Sequence, residues 1–152
     1  MSEPGRVMAL DVGSKRIGVA LCDTLRLLPS PLTTIKAQSR SMALERIATL
    51  IRQNEVVELV VGFPLTLSGT IGPQAEVINR FVADLAQTVT IPIHLFDERL
   101  TTAEAERVMI EMGLKPEQRR ARIDEMAATI ILRDYLDSRR PVRHWDEENA
   151  EY

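Results

Sequence analysis

At three places in this 152-residue chain, acidic residues lie where an apolar segment ends or begins. Asp11 interrupts the run "MALDVGSKRIGVALCD", Asp97 and Glu98 follow "IPIHLF", and Asp124 precedes the apolar part of "RRARIDEMAATIIL". Gathering two or three carboxylates at a partly buried edge costs several kcal/mol per ion unless cations or hydrogen bonds compensate. A divalent metal provides that compensation, and an all-oxygen ligand set favours magnesium or manganese over zinc.

The chemistry that such a metal centre supports is hydrolysis of a phosphodiester. Two magnesium or manganese ions about 4 Å apart can position an attacking water and stabilise the leaving oxygen. Each acid also has a simpler interpretation, because Asp11 can cap the Gly-Ser loop that follows it and Asp124 can cap a helix start. For Asp11 alone the simpler interpretation is favoured, whereas the acids taken together favour the metal centre.

The elements that must hold these acids follow from the hydrophobic pattern. Short runs rich in valine, leucine and isoleucine predict five strands, β1 to β5, over residues 6–12, 16–22, 32–35, 56–63 and 91–96. Apolar residues at helical spacing predict four helices, α1 to α4, around residues 44–51, 78–85, 105–112 and 123–130. The order βββαβαβαα predicts an α/β fold, with one mixed sheet and helices on both sides.

In a sheet of this kind, ligands bind where the parallel strands reach their carboxyl ends. The first strand ends at Asp11, and the fifth runs into Asp97 and Glu98. Because side chains alternate along a strand, only one of these two acids can point toward Asp11, and the pattern does not choose between them. Asp124 is expected in the first turn of the last helix, on a stripe that it shares with Ala127.

The composition limits the class of protein. A chain with 45% hydrophobic and 27% charged residues is expected to form a single domain over residues 1–137, followed by a polar tail at 138–152. It holds no apolar run of about twenty residues, so we expect a cytoplasmic protein with no membrane partner. Cys22 is the single cysteine, which excludes an internal disulfide and a cysteine cluster for zinc.

Any nucleic-acid site is expected to be a local basic patch, because the formal net charge is -3. Lys15 and Arg16 lie in the predicted turn beside Asp11, and four further cations precede Asp124, namely Lys115, Arg119, Arg120 and Arg122. We interpret both groups as contacts to a nucleic-acid backbone, although a solvated surface is the commoner role of charge runs. Arg99 is equally suited to contact substrate and to hold a neighbouring carboxylate in place.

Four segments resemble the motifs of the YqgF/RuvX family, within the RNase H-like nuclease superfamily. They read "ALDVGSKRIGVALCD", "VVGFPLTLSGT", "DERLTTAEA" and "IDEMAATIILRDYL", and the resemblance covers residues 6–136. It implies an RNase H-like fold, with a five-stranded mixed sheet in the order β3-β2-β1-β4-β5 and about four flanking helices. One departure lies in the second segment, where Thr66, Leu67 and Ser68 replace the Asn-Met-Asp that related sequences often have.

The resemblance also implies a function. It implies a hydrolase, a nuclease dependent on Mg²⁺ or Mn²⁺, that processes the 5′ end of pre-16S rRNA in ribosome biogenesis; the alternative is resolution of Holliday junctions in DNA. Carried over by motif, the catalytic and metal-binding carboxylates are Asp11, Glu98 and Asp124, which selects Glu98 over Asp97. The partner implied is pre-rRNA or branched DNA, bound by a monomer or a homodimer.

Two other classes of protein compete with this interpretation. The segment "DVGSKRIGVA" is similar to the first phosphate loop of actin-like and sugar-kinase ATPases. Those proteins close two lobes around a nucleotide, and 152 residues cannot supply both lobes. The second alternative is a non-catalytic nucleic-acid-binding factor with the same fold, which the presence of all three carboxylates disfavours.

Overall fold

A computed structural model describes residues 5–36, 38–64, 73–98 and 101–140 of the chain, with Pro64 and Glu98 placed in their strands by backbone alone. Arg99, residues 65–72 and residues 141–152 of the predicted tail therefore lie outside the described residues.

Five strands form one mixed sheet in the predicted order, β3-β2-β1-β4-β5. Their bounds are Arg6–Val12 for β1, Ile17–Cys22 for β2, Pro29–Ile35 for β3, Val56–Pro64 for β4 and Ile93–Glu98 for β5. The ladders β1–β2 and β2–β3 are antiparallel, whereas β1–β4 and β4–β5 are parallel. β3 starts three residues earlier than predicted and lies at an edge of the sheet, where the missing N–H groups of its prolines are tolerated.

Helices cover both faces of the sheet, as predicted. Their bounds are Arg40–Gln53 for α1, Pro73–Thr88 for α2, Thr101–Glu111 for α3 and Pro116–Arg139 for α4. The larger core cluster joins Leu10 of β1 to residues of α1 and α2, and a second cluster joins Ala9 to Ile131 and Leu132 of α4. α3 packs on α4 through a smaller cluster. Within the described residues, no helix combines the length and apolar character that a membrane crossing needs.

The start of α4 corrects one expectation. α4 begins at Pro116, so Asp124 lies in its third turn rather than its first. Lys115 occupies the cap position, its backbone N–H donates to Oε1 of Gln118 at 2.9 Å, and the fixed φ of Pro116 suits the first helical residue. The segment that holds Arg119, Arg120 and Arg122 is therefore part of the helix and does not precede it. The cap interpretation of Asp124 fails for the same reason.

Candidate active site

Asp11 belongs to a row of residues that crosses three neighbouring strands. It lies opposite Gly18 of β2, and Gly18 lies opposite Thr34 of β3. Directly opposed residues share a face of the sheet, and Val7 and Ala9 of β1 pack against α4, so the row belongs to the α4 face. Asp11 is partly buried there.

Gly18 lets α4 touch the sheet next to Asp11. A Cβ atom at residue 18 would lie 1.9 Å from the carbonyl oxygen of Asp124 and 2.9 Å from the backbone nitrogen of Glu125, closer than real Cβ atoms approach. The helix can therefore lie here only because residue 18 has no side chain. The sequence analysis did not single out Gly18, although a glycine inside an apolar strand is a known signal of close backbone approach.

The side chain of Asp124 forms an ion pair at this point. Its Oδ2 lies 3.2 Å from Nε of Arg16, which follows the turn between β1 and β2. The Asp124 side chain is 23% exposed and that of Arg16 is 48% exposed, so the pair is accessible from solvent. The backbone N–H of Gly13 donates to the carbonyl of Arg16 at 2.8 Å and closes the turn. The structure thus brings Arg16 together with Asp124. Lys15 precedes Arg16 in the same turn.

The two acids at the end of β5 belong to opposite faces of the sheet. Phe96 packs in the cluster under α4, with its ring 5.7 Å from that of Tyr135. Strand alternation therefore assigns position 98 to the α4 face, which is also the face of Asp11, and position 97 to the other face. Asp97 is exposed. This assignment agrees with the implied choice of Glu98 at the level of the backbone, and the role of Glu98 stays a prediction.

The donor chemistry of the region fits a divalent cation. Asp11 and Asp124 supply carboxylate oxygens from two elements that meet at Gly18, and Asp124 already has a cation as its neighbour. Carboxylate oxygens are the ligands that magnesium and manganese prefer. Among the described side chains, no group of three or more His, Cys, Asp or Glu residues is close enough to hold a metal ion, and Glu98 is not one of those side chains.

The structure separates the predicted basic residues into two groups. Arg16 pairs with Asp124 and follows Lys15 in the chain, whereas Arg119 and Arg120 line a cavity of about 160 Å³ between α3 and α4. Arg119 also donates from Nη1 to the carbonyl of Leu114 at 2.9 Å, which gives it a local structural contact. Lys115 and Arg122 are exposed.

A second cavity, of about 260 Å³, lies under the β1–β2 turn on the α1 and α2 side. Its polar lining includes Lys15, Arg16, Ser39 and Arg40. The sequence analysis missed Arg40, whose Nη1 lies 2.9 Å from Oδ2 of Asp84. Arg16 is thus a member of this cavity lining and also the ion-pair partner of Asp124.

Another polar cluster lies near the far end of α4. Glu58, early in β4, accepts a hydrogen bond from the hydroxyl of Tyr135, and its Oε1 lies 3.0 Å from Nε2 of His94. Its Oε2 lies 3.1 Å from Nη1 of Arg26. The side chain of Glu58 is 14% exposed, and three donors surround it. This cluster ties α4 to two strands and to the β2–β3 connection.

Comparisons of the sequence with known proteins give one consistent family. The family model named RuvX and described as a Holliday junction resolvase matches residues 5–138. A Roseiflexus sp. (strain RS-1) protein named "Putative pre-16S rRNA nuclease" is 65% identical over 139 residues, which cover 91% of this chain and 99% of the relative. A protein of the same name from Chloroflexus aurantiacus (strain ATCC 29366 / DSM 635 / J-10-fl) is 48% identical over 134 residues, 88% of each chain.

Comparisons with solved structures confirm the RNase H-like fold. The RuvC of T. thermophilus, solved in complex with a Holliday junction substrate, superimposes with a TM-score of 0.58 at 14% identity, over 89% of this chain and 95% of that one. The fowlpox virus resolvase, solved with Holliday junction DNA, gives a TM-score of 0.54 at 10% identity, over 88% of this chain and 97% of that one. At these identities the similarity concerns the fold alone.

Proposed function

The chain belongs to the RuvX family, and from that premise we propose that it is a nuclease that hydrolyses phosphodiester bonds in structured nucleic acid. The substrate that we propose is pre-16S rRNA, which is the substrate in the names of its relatives, and the site of cleavage that we propose is its 5′ end. The observation that carries the proposal is the contact of α4 with Gly18, because it joins Asp124 to the strand beside Asp11.

We propose that Asp11, Glu98 and Asp124 hold the divalent metal, and that residues 1–137 form the nuclease domain. Two bound Mg²⁺ or Mn²⁺ ions would supply Lewis-acid stabilisation of the reacting phosphate and activation of water. The protein's own contribution is to hold the three carboxylates in place, which rigid strands and a helix do better than loops. Lys15 and Arg16 supply cationic contacts to phosphate next to the carboxylates.

Resolution of Holliday junctions is the second candidate function. The description of the family and the fold shared with two resolvases favour it. Two symmetric cuts require two active centres, so this function predicts a two-fold symmetric dimer. The pre-16S rRNA function carries no such requirement, and the oligomeric state therefore helps to separate the two candidates.

The test is cleavage of a labelled 16S precursor RNA and a labelled four-way DNA junction in parallel, with Mn²⁺, with Mg²⁺ and with EDTA. We expect metal-dependent cleavage of the RNA that falls at least about a hundredfold in Asp11→Asn, because the metal loses a charged ligand. Glu58→Gln is the matched control, since it removes a carboxylate charge from the far end of α4 and should leave cleavage unchanged.

Each other outcome has a definite meaning. Cleavage of the junction alone, by a dimer, would replace the RNA function with junction resolution. Binding of RNA without cleavage by the folded protein, under every metal condition, would overturn the nuclease proposal and favour a non-catalytic binding factor.

A further inference from the structure

The ion pair between Arg16 and Asp124 joins two residues to which the proposed function assigns different ligands. Asp124 is assigned to the metal and Arg16 to phosphate, yet the two side chains lie 3.2 Å apart from Nε to Oδ2. A guanidinium that is paired with a carboxylate attracts phosphate less strongly, and a carboxylate that is already neutralised attracts a metal less strongly. The pair therefore links the two binding events.

The two partners of this pair differ in how firmly they are held. The backbone of Asp124 is held against Gly18, where the separation leaves no space even for a Cβ atom. The carbonyl of Arg16 accepts a hydrogen bond from Gly13, and the half-exposed Arg16 side chain is long and has several rotatable bonds. When the pair separates, the Arg16 side chain is thus the part that leaves.

A cavity next to Arg16 could hold its side chain after the pair separates. Arg16 lines the cavity of about 260 Å³ on the other side of the turn, together with Lys15 and Arg40. A guanidinium turned into this cavity joins Lys15 and also Arg40, which is already paired with Asp84 at 2.9 Å. Arg16 and Lys15 together would suit a phosphate of the nucleic-acid backbone.

We propose that Arg16 is a latch that couples metal binding to nucleic-acid binding. Without metal, Arg16 neutralises Asp124 and is withheld from the nucleic acid. A divalent cation at Asp124 displaces the guanidinium by like-charge repulsion, and the released Arg16 binds phosphate. This inference rests on the proposed function, which assigns a metal to Asp124. By linkage, bound metal then tightens the binding of nucleic acid, and bound nucleic acid tightens the binding of metal.

The first experiment measures Mn²⁺ affinity by isothermal titration calorimetry, with no nucleic acid present. Arg16→Gln should bind Mn²⁺ roughly three- to tenfold more tightly than the unmodified protein, because the competing cation is gone. Lys15→Gln is the matched control, since it removes the same charge one residue away, and none of the described ion pairs involves Lys15. Equal or weaker Mn²⁺ binding by Arg16→Gln would overturn the latch.

The second experiment measures the affinity for a labelled hairpin RNA in EDTA, so that no metal can release Arg16. Asp124→Asn should bind the RNA roughly threefold or more tightly, because it frees Arg16 from its anion. Asp11→Asn is the control, because it removes a nearby negative charge but keeps the pair between Arg16 and Asp124. The gain should disappear in the double variant Asp124→Asn with Arg16→Gln, and a gain that persists there would contradict the proposal.

These measurements stay informative if the protein proves not to cleave RNA. Tighter Mn²⁺ binding by Arg16→Gln together with an absence of cleavage would support the latch and reject the nuclease. Arg16→Lys is the second variant in case Arg16→Gln does not fold, and it should give an intermediate Mn²⁺ affinity because a lysine keeps the charge without the planar fork. An affinity for Arg16→Lys no higher than that of the unmodified protein would count against the latch.

Discussion

Two carboxylates, Glu58 of β4 and Asp124 of α4, lie close to an arginine at opposite parts of α4, but the surroundings of the two carboxylates differ. Glu58 is bonded by Tyr135 and lies beside His94 and Arg26, and it is mostly buried. Asp124 lies about 16 Å away along the helix from Tyr135. Its described ion pair is with Arg16, whose side chain is 48% exposed.

The difference separates a structural carboxylate from one suited to exchange ligands. Glu58 satisfies donors from three other elements, and replacing any of them would leave a polar group without its partner. Asp124 pairs with one solvent-accessible cation, which another cation can replace at little cost. The Glu58 cluster anchors one end of α4, and the Gly18 contact determines how closely the other end approaches Asp11.

The largest expected effect concerns Gly18, which has no counterpart at the Glu58 end. Gly18→Ala should lower the free energy of unfolding by about 3 kcal/mol, because the new methyl group overlaps the backbone of Asp124. Urea unfolding measures the loss. Asp124→Ala in the same background should not relieve it, since the overlapping atoms belong to the main chain, and a rescue would show that the helix is not held there by its backbone.

Substituting the two carboxylates compares the ends of α4 directly. Glu58→Gln should lower the free energy of unfolding by about 2 kcal/mol, since it removes the charge of a mostly buried carboxylate that Arg26, His94 and Tyr135 surround. Asp124→Asn should cost at most about 1 kcal/mol, because it removes an accessible ion pair. Urea unfolding of both variants checks this order. A loss for Asp124→Asn that equals the loss for Glu58→Gln would make Asp124 a structural residue too.

A further expected effect is a difference in pH dependence. Burial, followed by the hydrogen bond to Glu58, raises the pKa of Tyr135 from 10.0 to about 12. The folded state therefore favours the neutral phenol, so this stabilisation is fully present below pH 10 and is lost as the pH rises toward 12. The free energy of unfolding should fall more steeply over this range in the unmodified protein than in Tyr135→Phe. Curves of unfolding free energy against pH that run parallel for the two proteins would contradict the raised pKa of Tyr135.

Much of the fold could be predicted from local patterns. The strand at residues 6–12 was predicted with its observed bounds, because a continuous apolar run and the turn after it are both local signals. The start of α4 was predicted seven residues too late, since the apolar stripe begins only near Ile123, whereas the helix begins at Pro116 with a cap from the side chain of Gln118. The choice between Asp97 and Glu98 could not be made from alternation alone, because alternation gives opposite faces but does not say which face lies under α4.

The sequence by itself determined the order of the elements, the strand that carries Asp11 and, through its family motifs, the set of acids proposed to bind metal. The tertiary structure alone decided that Gly18 is the contact point of α4, that Arg16 pairs with Asp124, and that Glu58 belongs to a separate structural cluster. The physical reason is the range of each interaction. Hydrophobic period and turn chemistry act over a few residues, whereas these contacts join residues far apart in the chain, which only the packing of α4 on the sheet brings together.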